Sequence, residues 1–548
     1  MKKIFFLLLF VITQSTISSN NLTENQKLAT ICKVWGFLKY YHPNVADGSK
    51  NWDEQLFTIL PQIEKAQTKE EFSLVLENWI ASQGEIKEYE ANKPDSKVEY
   101  FTKNLDLKWL EDSKVFSKTL SKKLKFIEKN RFQGKQYYYT SNPYIKVTNE
   151  IKYADFKWTN KNLRLLALYR YWNQIEYFFP YKYKMDEKWD VVLTQMLPRF
   201  INPESEKDFV LAMREISIKL NDTHSHTTSR LMFEGMFGSK FLPINIKIID
   251  KKVIIASLLN DSIAKVDDLV VGDIITKVDG KTIDEIIDAK KNIVEGSNDA
   301  AIRKNFNLHI FSGNTNTIEI EFIRNEKTAT KIVKRYAYQD LKIQFPEKEK
   351  WKLLEGNIGY IDVESITAAE LPNVMQQFKN TKAIIFDARF YPQEDAIEYD
   401  IAGYLYPQNQ VFAKCINPDL TCPGRYIWME DHNTGKTNPD YFKGQVIILQ
   451  NEKTQSHGEH LVMCLQAAPN AVVIGSQTAG ADGGICQYEI IKGFTTTYTG
   501  YGMFYPNKKE TQRIGIVPDI EVKQTIKGIQ EDKDEVLDRA LQFINKGK

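Results

Sequence analysis

The sequence holds little cysteine and little histidine, 5 and 7 residues among 548. It has no surplus of charge of either sign: Lys+Arg 73 against Asp+Glu 71 leaves +2. A balance this even, with no long basic run, argues against nucleic acid as a partner. So few cysteines in so long a chain exclude a mini-protein held together by disulfides. There is no Pro-rich or Gly-rich tract, which removes the low-complexity classes. Beyond residue 19 no apolar run reaches about 18 residues, so no membrane span is expected. Hydrophobic residues at 42% and charged residues at 26% are ordinary globular values. The length allows about three or four domains.

Residues 1–19 have the pattern of a signal peptide. Lys2 and Lys3 form a charged start, Ile4 to Ile12 is unbroken apolar sequence, and the small-residue stretch Ser15 to Ser19 follows. No cysteine stands near the expected cut, so no lipid attachment is expected. Removing Lys2 and Lys3 takes the net charge from +2 to 0. The mature protein is expected to be soluble and exported, periplasmic or secreted. An oxidising compartment permits a disulfide, and Cys415 with Cys422 is the best pair by position.

An internal repeat runs at a fixed offset of 137. Trp35, Pro43, Trp52, Leu56, Leu60, Pro61 and Phe72 recur as Trp172, Pro180, Trp189, Leu193, Leu197, Pro198 and Phe209. Each copy reads as helix, Pro-marked turn, helix and a further helix, with its aromatics in the core. A Lys-rich connector, roughly 85–160, separates them. The expected units are an N-terminal helical domain at 20–150 (first copy and connector) and the second copy at 151–239. A β-rich segment follows at 240–338 and an α/β domain at 339–548. In the last, buried apolar strands such as QVIILQN alternate with helices.

Ser456 stands at a strand-to-helix turn, in Thr454-Gln455-Ser456-His457-Gly458-Glu459. A nucleophile is well placed there, because backbone N–H groups at a helix start can stabilise an oxyanion. Ser456-x-x-Glu459 is also a capping box, which needs no function. Asn221-Asp222-Thr223-His224-Ser225-His226 puts two histidines in a polar turn after a helix. A general base needs an imidazole whose orientation is fixed, and Asp222 and Thr223 flank His224. The chemical rival is zinc on His224/His226 and His457/His460. However, His457-Gly-Glu-His460 does not match the zinc-peptidase spacings.

The segment 240–338, with Gly272-Asp273-Ile274-Ile275, a Val-Asp-Gly turn and a short helix, resembles a PDZ domain. Together with Asp222-Thr223-His224, Phe386-Asp387-Ala388-Arg389, Thr454-Gln455-Ser456-His457-Gly458-Glu459, Gly475-Ser476-Gln477-Thr478-Ala479-Gly480 and Gly515-Ile516-Val517-Pro518-Asp519-Ile520, these residues resemble the C-terminal-processing (tail-specific) serine peptidase family. The resemblance covers roughly 160–545 and is to the family's tricorn-core-like Ser/His branch. It implies a multidomain α/β fold with a crotonase-like αββ peptidase domain, a peptide or unfolded-protein substrate, and no cofactor or metal. It implies Ser456 as nucleophile, His224 as base and Thr223 as the assisting hydroxyl. The Glu expected to support that hydroxyl appears as Gln512, and Ala481 stands where a dyad lysine would be. The implied oxyanion donors are the N–H groups of His457 and Phe390. The reading is an exported serine endopeptidase. The alternative is a weak or inactive relic that binds peptides. Either way, residues 160–230 must fold back onto the C-terminal domain.

Overall fold

The repeat in the sequence is a repeat in space. The computed structural model describes residues 21–88, 95–142, 144–232, 237–344 and 348–546; the expected signal segment lies outside them. In chain order, the first copy supplies α1 (Glu24–Tyr41), α2 (Trp52–Lys65) and α3 (Lys69–Ala81). The second supplies α4 (Lys161–Phe178), α5 (Trp189–Ile201) and α6 (Glu206–Ile218). Local sequence fixes the helix starts. Thr23 with Gln26 and Thr68 with Glu71 form capping boxes, and Asn51, Asn160 and Ser205 cap the others except α5.

The duplicated tryptophans explain why the repeat is legible. Trp35 donates from its indole to the Trp52 carbonyl (3.1 Å), and Trp52 donates back to the Trp35 carbonyl (3.0 Å). Trp172 and Trp189 do the same, both at 3.0 Å. Each pair locks the first helix of a copy to the start of the second while satisfying two buried N–H groups, so neither ring is free to change.

The copies then pack on each other. The Tyr169 hydroxyl donates to the Leu28 carbonyl (2.7 Å) and the Asn173 amide to the Cys32 carbonyl (3.0 Å). At this crossing Gly36 is obligatory, because a Cβ there would sit 1.8 Å from Asn173 Oδ1. From Leu163 to Phe178 every residue of α4 is buried, as befits a helix wrapped on all sides.

The connector is structured. It contains a helix, Lys118–Lys129, and a hairpin of Tyr139–Ser141 with Ile145–Val147. Its Glu150 pairs with buried Lys39 and with Arg170. Arg170 also holds Asp53 and donates to the Ile151 and Ile490 carbonyls. One guanidinium thus ties together both copies, the connector and the C-terminal part. The hydrophobic core of the two copies is continuous with Ile416, Tyr426 and Tyr498 from beyond residue 400.

A short strand, β1 (His226–Thr228), leaves the second copy. Five strands follow: β2 (Ile244–Ile249), β3 (Lys252–Leu258), β4 (Ile274–Val278), β5 (Thr317–Arg324) and β6 (Lys327–Lys334). They form an antiparallel sheet in the order β6-β5-β4-β3-β2 with its own core. Asp250 and Lys251, both at positive φ, make the two-residue turn between β2 and β3.

The C-terminal sheet has the order β7-β8-β9-β10-β11-β14. Its strands are β7 (Trp351–Leu354), β8 (Ile358–Asp362), β9 (Ala383–Asp387), β10 (Gln445–Gln450), β11 (Ala471–Gly475) and β14 (Ile520–Glu521). β8 to β14 are parallel neighbours and β7 is antiparallel. This is the expected α/β pattern. Between β11 and β14 the chain makes a hairpin of β12 (Ile485–Ile491) and β13 (Phe494–Thr499). β1 adds to its edge, with His226 opposite Thr497 and Thr228 opposite Thr495. That addition is the fold-back the sequence reading required. Cys415 and Cys422 are both buried free thiols, so the expected disulfide is absent. Cys422 lies against the Tyr41 hydroxyl while Cys415 belongs to the core of the C-terminal sheet. Among the described residues no helix is long and apolar enough to cross a membrane.

Gly36→Ala should overpack the crossing of α1 and α4. We expect it to destabilise the protein by about 1–3 kcal/mol, read as a lower urea midpoint. An unchanged midpoint would contradict the contact.

Candidate active site

Ser456 is the cap residue of α8 (His457–Gln466), at the exit from β10. Its backbone is at φ 54 and ψ −121, a conformation that costs a non-glycine residue roughly 1–3 kcal/mol and persists only where the surroundings impose it. Two contacts impose it. The Ser456 N–H donates to the Ala481 carbonyl (3.0 Å) and faces the Glu459 carboxylate (3.3 Å).

Glu459, fully buried one turn into α8, also accepts from the Gly480 N–H (2.8 Å), the Ala481 N–H (2.9 Å) and the Thr478 hydroxyl (2.5 Å). It therefore clamps the 478–481 segment against the Ser456 turn. Burial pushes its carboxyl up to about 7, against the pull of those donors. Gly480, at φ +68, cannot carry a side chain, since a Cβ would meet the Arg513 backbone at 2.9 Å. The expected capping box is thus half functional: its glutamate builds the site.

His224 arrives from the turn after α6 and is buried. Its Nδ1 lies 2.9 Å from the Thr499 hydroxyl, and that hydroxyl lies 2.9 Å from Asp222 Oδ1. A hydroxyl has one proton, and the carboxylate can only accept. Thr499 therefore donates to Asp222 and accepts from His224, which fixes the proton on Nδ1 and leaves the Nε2 lone pair bare. Nε2 has no partner and is buried. Asp222 is itself held by the Thr499 N–H (2.8 Å), the His224 N–H (3.2 Å) and the Gln512 amide (3.2 Å). Burial lowers the pKa of His224, while Asp222 and Asp482 work to raise it. Its neutral form therefore prevails at neutral pH.

Two expectations are corrected here. The Thr223 hydroxyl does not touch His224. It pairs with Ser297 (2.9 Å) and the Ala479 carbonyl (3.2 Å), because residue 223 faces the 478–481 segment while the ring of 224 faces β13. The hydroxyl against His224 belongs to Thr499, which a single sequence does not distinguish from the other threonines of β13. Gln512 orients Asp222 rather than Thr223, so the charge missing at 512 is supplied at 222.

The turns of His224 and Ser456 grip the same segment. Thr223 holds the Ala479 carbonyl, the Ala479 N–H donates to the Thr454 carbonyl (3.0 Å), and Ser456 holds the Ala481 carbonyl. The loop after β9 lies alongside. Thr454 donates its hydroxyl to the Ala388 carbonyl (2.8 Å), and the Tyr391 ring is 5.9 Å from that of His457. The Phe390 ring turns away, beneath Lys348 and Lys453. From the β-rich unit, Lys304 donates to the Gln455 side chain (2.7 Å). The two histidine pairs stay apart. His226 meets Thr497 while His457 and His460 flank Glu398, and among the described residues no three potential ligands converge on a metal position.

Residues 357–522 match the model of peptidase family S41. This part of the chain belongs to peptidase family S41. Of the six residues expected at the site, Phe390, Ser456, His457 and Gln512 lie in the matched segment, and His224 and Thr223 are brought to it by β1. The chain is similar in fold to mature CPAF complexed with lactacystin, at 14% identity and a TM-score of 0.55, over 70% of this chain and 99% of that one. A putative peptidase from Parabacteroides merdae aligns at 14% identity over 70% of this chain and 97% of that one, with a TM-score of 0.44. No curated protein matches the chain.

A carboxyl raised on folding favours the folded state at low pH and loses that contribution as pH rises through its folded pKa. Between pH 5 and 8 the wild type should therefore lose more stability than Glu459→Gln, by up to about 3 kcal/mol. Urea melts of both proteins at the two pH values check this; parallel losses would contradict the buried, titrating carboxyl.

Proposed function

We propose that the chain is an exported serine peptidase that cuts peptide bonds through an acyl-enzyme on Ser456. The observation that carries this reading is the His224 imidazole, locked with its proton on Nδ1 and its Nε2 bare, in a turn that holds the same 478–481 segment as the strained Ser456 turn. Membership of a serine peptidase family supports it. Ser456 Oγ attacks the scissile carbonyl while His224 Nε2 takes the hydroxyl proton. The oxyanion faces the N–H of His457, at the start of α8, and the N–H of Phe390, at the end of β9. The imidazolium then gives its proton to the leaving amine, and water, activated by the same Nε2, releases the acyl group.

Asp222 and Thr499 are positioning residues. They set the tautomer and, through the Thr499 hydroxyl, stabilise the positive charge that His224 acquires. The segment 240–338 acts as a PDZ-like module that presents an extended peptide along the β2 edge, and the peptidase part adopts the crotonase-like arrangement the sequence resembles. Residues 1–19 direct export.

A fluorophosphonate probe should add one mass increment to the wild type and none to Ser456→Ala; equal labelling of both would reject the nucleophile. Asp222→Asn should slow labelling by about 10²–10⁴-fold. Because Asp222 raises the His224 pKa, the same change should also move the acid limb of the pH–rate profile to lower pH. A uniform loss with no shift in the profile would mean that Asp222 acts only on folding.

A further inference from the structure

The β-rich unit reaches the turn that carries His224 through one short segment, residues 293–298. The segment runs into α7 (Asp299–Asn305), which Asn298 caps by accepting from the Ala301 N–H (2.9 Å). It is gripped along its length. Arg214, on α6, donates to the Ile293 carbonyl (2.9 Å), pairs with Glu295 and reaches the Thr227 carbonyl of β1 (3.4 Å). The Asn298 amide donates to the Thr478 carbonyl (2.9 Å) and to the Arg513 carbonyl (3.3 Å), and Arg513 donates to the Ser297 carbonyl (3.2 Å). One turn along α7, Lys304 meets Gln455, beside Ser456.

Between these grips Ser297 faces Thr223, and both are buried. The Thr223 N–H donates to Ser297 Oγ (2.8 Å), and the Ser297 N–H donates to Thr223 Oγ1 (2.9 Å). The Thr223 hydroxyl is shared between Ser297 Oγ (2.9 Å) and the Ala479 carbonyl (3.2 Å). Two residues 74 positions apart thus hold each other by backbone and side chain at once. An alanine at 297 would leave the Thr223 N–H buried without its acceptor.

Thr223 stands between the two residues that matter most to the base. Its N–H belongs to the peptide plane that follows Asp222. Its carbonyl carbon belongs to the plane that carries the His224 N–H, which donates to Asp222 Oδ1 (3.2 Å). Holding Thr223 at its N–H and its hydroxyl fixes the backbone from which both side chains leave. Asp222 and Thr499 set which nitrogen of His224 is bare; they do not set where the turn itself sits. That placement comes from outside, and small misplacements of a reacting group are costly in rate.

We infer that Ser297 is a positioning residue for the reaction: through Thr223 it holds the turn that delivers His224, and the β-rich unit is thereby part of the framework of the active site. The inference deepens the reading of His224 as the base and rests on it. Ser297 touches no reacting atom.

The test compares Ser297→Ala with Gln530→Ala. The Gln530 amide donates to the Gly272 carbonyl (3.0 Å) and so docks the same unit at another place. Ser297→Ala should slow fluorophosphonate labelling and lower kcat on a peptide substrate, each on the order of 10-fold, with KM unchanged. Gln530→Ala should do neither. Equal effects of the two variants, or a loss confined to KM, overturn the inference. Thr223→Val breaks the hydroxyl contact from the other side. Added to Ser297→Ala it should cost little further rate, since the two residues act as a pair; additive losses overturn the inference. Should Ser297→Ala fail to fold, Thr223→Val takes its place against Gln530→Ala. A readout independent of turnover is the ring N–H resonance of His224 in isotope-labelled protein, assigned by its loss in His224→Gln. It should exchange slowly with solvent in the wild type and in Gln530→Ala, and faster in Ser297→Ala. An unchanged exchange rate overturns the inference. If the wild type neither labels nor cuts, the peptidase reading fails by itself, and this resonance still decides whether Ser297 holds the histidine.

Discussion

The Glu459 carboxylate is the constraint on which the site depends. Fully buried, it is satisfied by the Ser456 N–H, two consecutive N–H groups and a hydroxyl of the 478–481 segment. Those donors come from two crossings of the parallel sheet, after β10 and after β11. Their convergence on one side chain fixes the relative height of the two loops at the carboxyl ends of the strands, where an open α/β sheet holds its ligands. The strained Ser456 backbone, the Ala481 carbonyl and the placement of Asp482 all follow from it. Charge is costly there, which is why the carboxyl titrates near neutrality rather than in the acid range.

Around this clamp the base is assembled by a second carboxylate with a different task. Asp222 touches no reacting atom. It collects four donors and through Thr499 decides which nitrogen of His224 is free. A neutral amide at 512 is compatible with this arrangement because it is an additional donor to Asp222. A glutamate at 512 would put a second negative charge against Asp222, and repulsion would raise the pKa of one of them.

Much of this was legible in the sequence, for identifiable reasons. The helical copies show because each tryptophan pair fixes two residues 17 apart and tolerates neither alternative nor gap. The strands of the C-terminal sheet show because burial on both faces writes continuous apolar runs. Ser456 and His224 show because a strand-to-helix turn and a histidine in a polar turn are local features. Thr499 and Asp482 do not show. Their places depend on which face of β13 meets the turn after α6, and on which side of α8 the 478–482 segment is held, and neither is a property of neighbouring residues. The misassigned Thr223 has the same origin: adjacency to His224 in sequence places its side chain on the opposite side of the turn.

His224 enters the site just ahead of a three-residue strand, β1, paired with residues 495–497 near the other end of the chain. Ser456, Glu459 and the N–H groups of His457 and Phe390 all come from the C-terminal part alone. A chain in which β1 has not yet paired therefore has a serine without a base. Under the proposed function, catalytic competence is a late event in maturation. On that reading a chain whose β1 has not yet paired is inert toward its own unfolded segments and toward its neighbours.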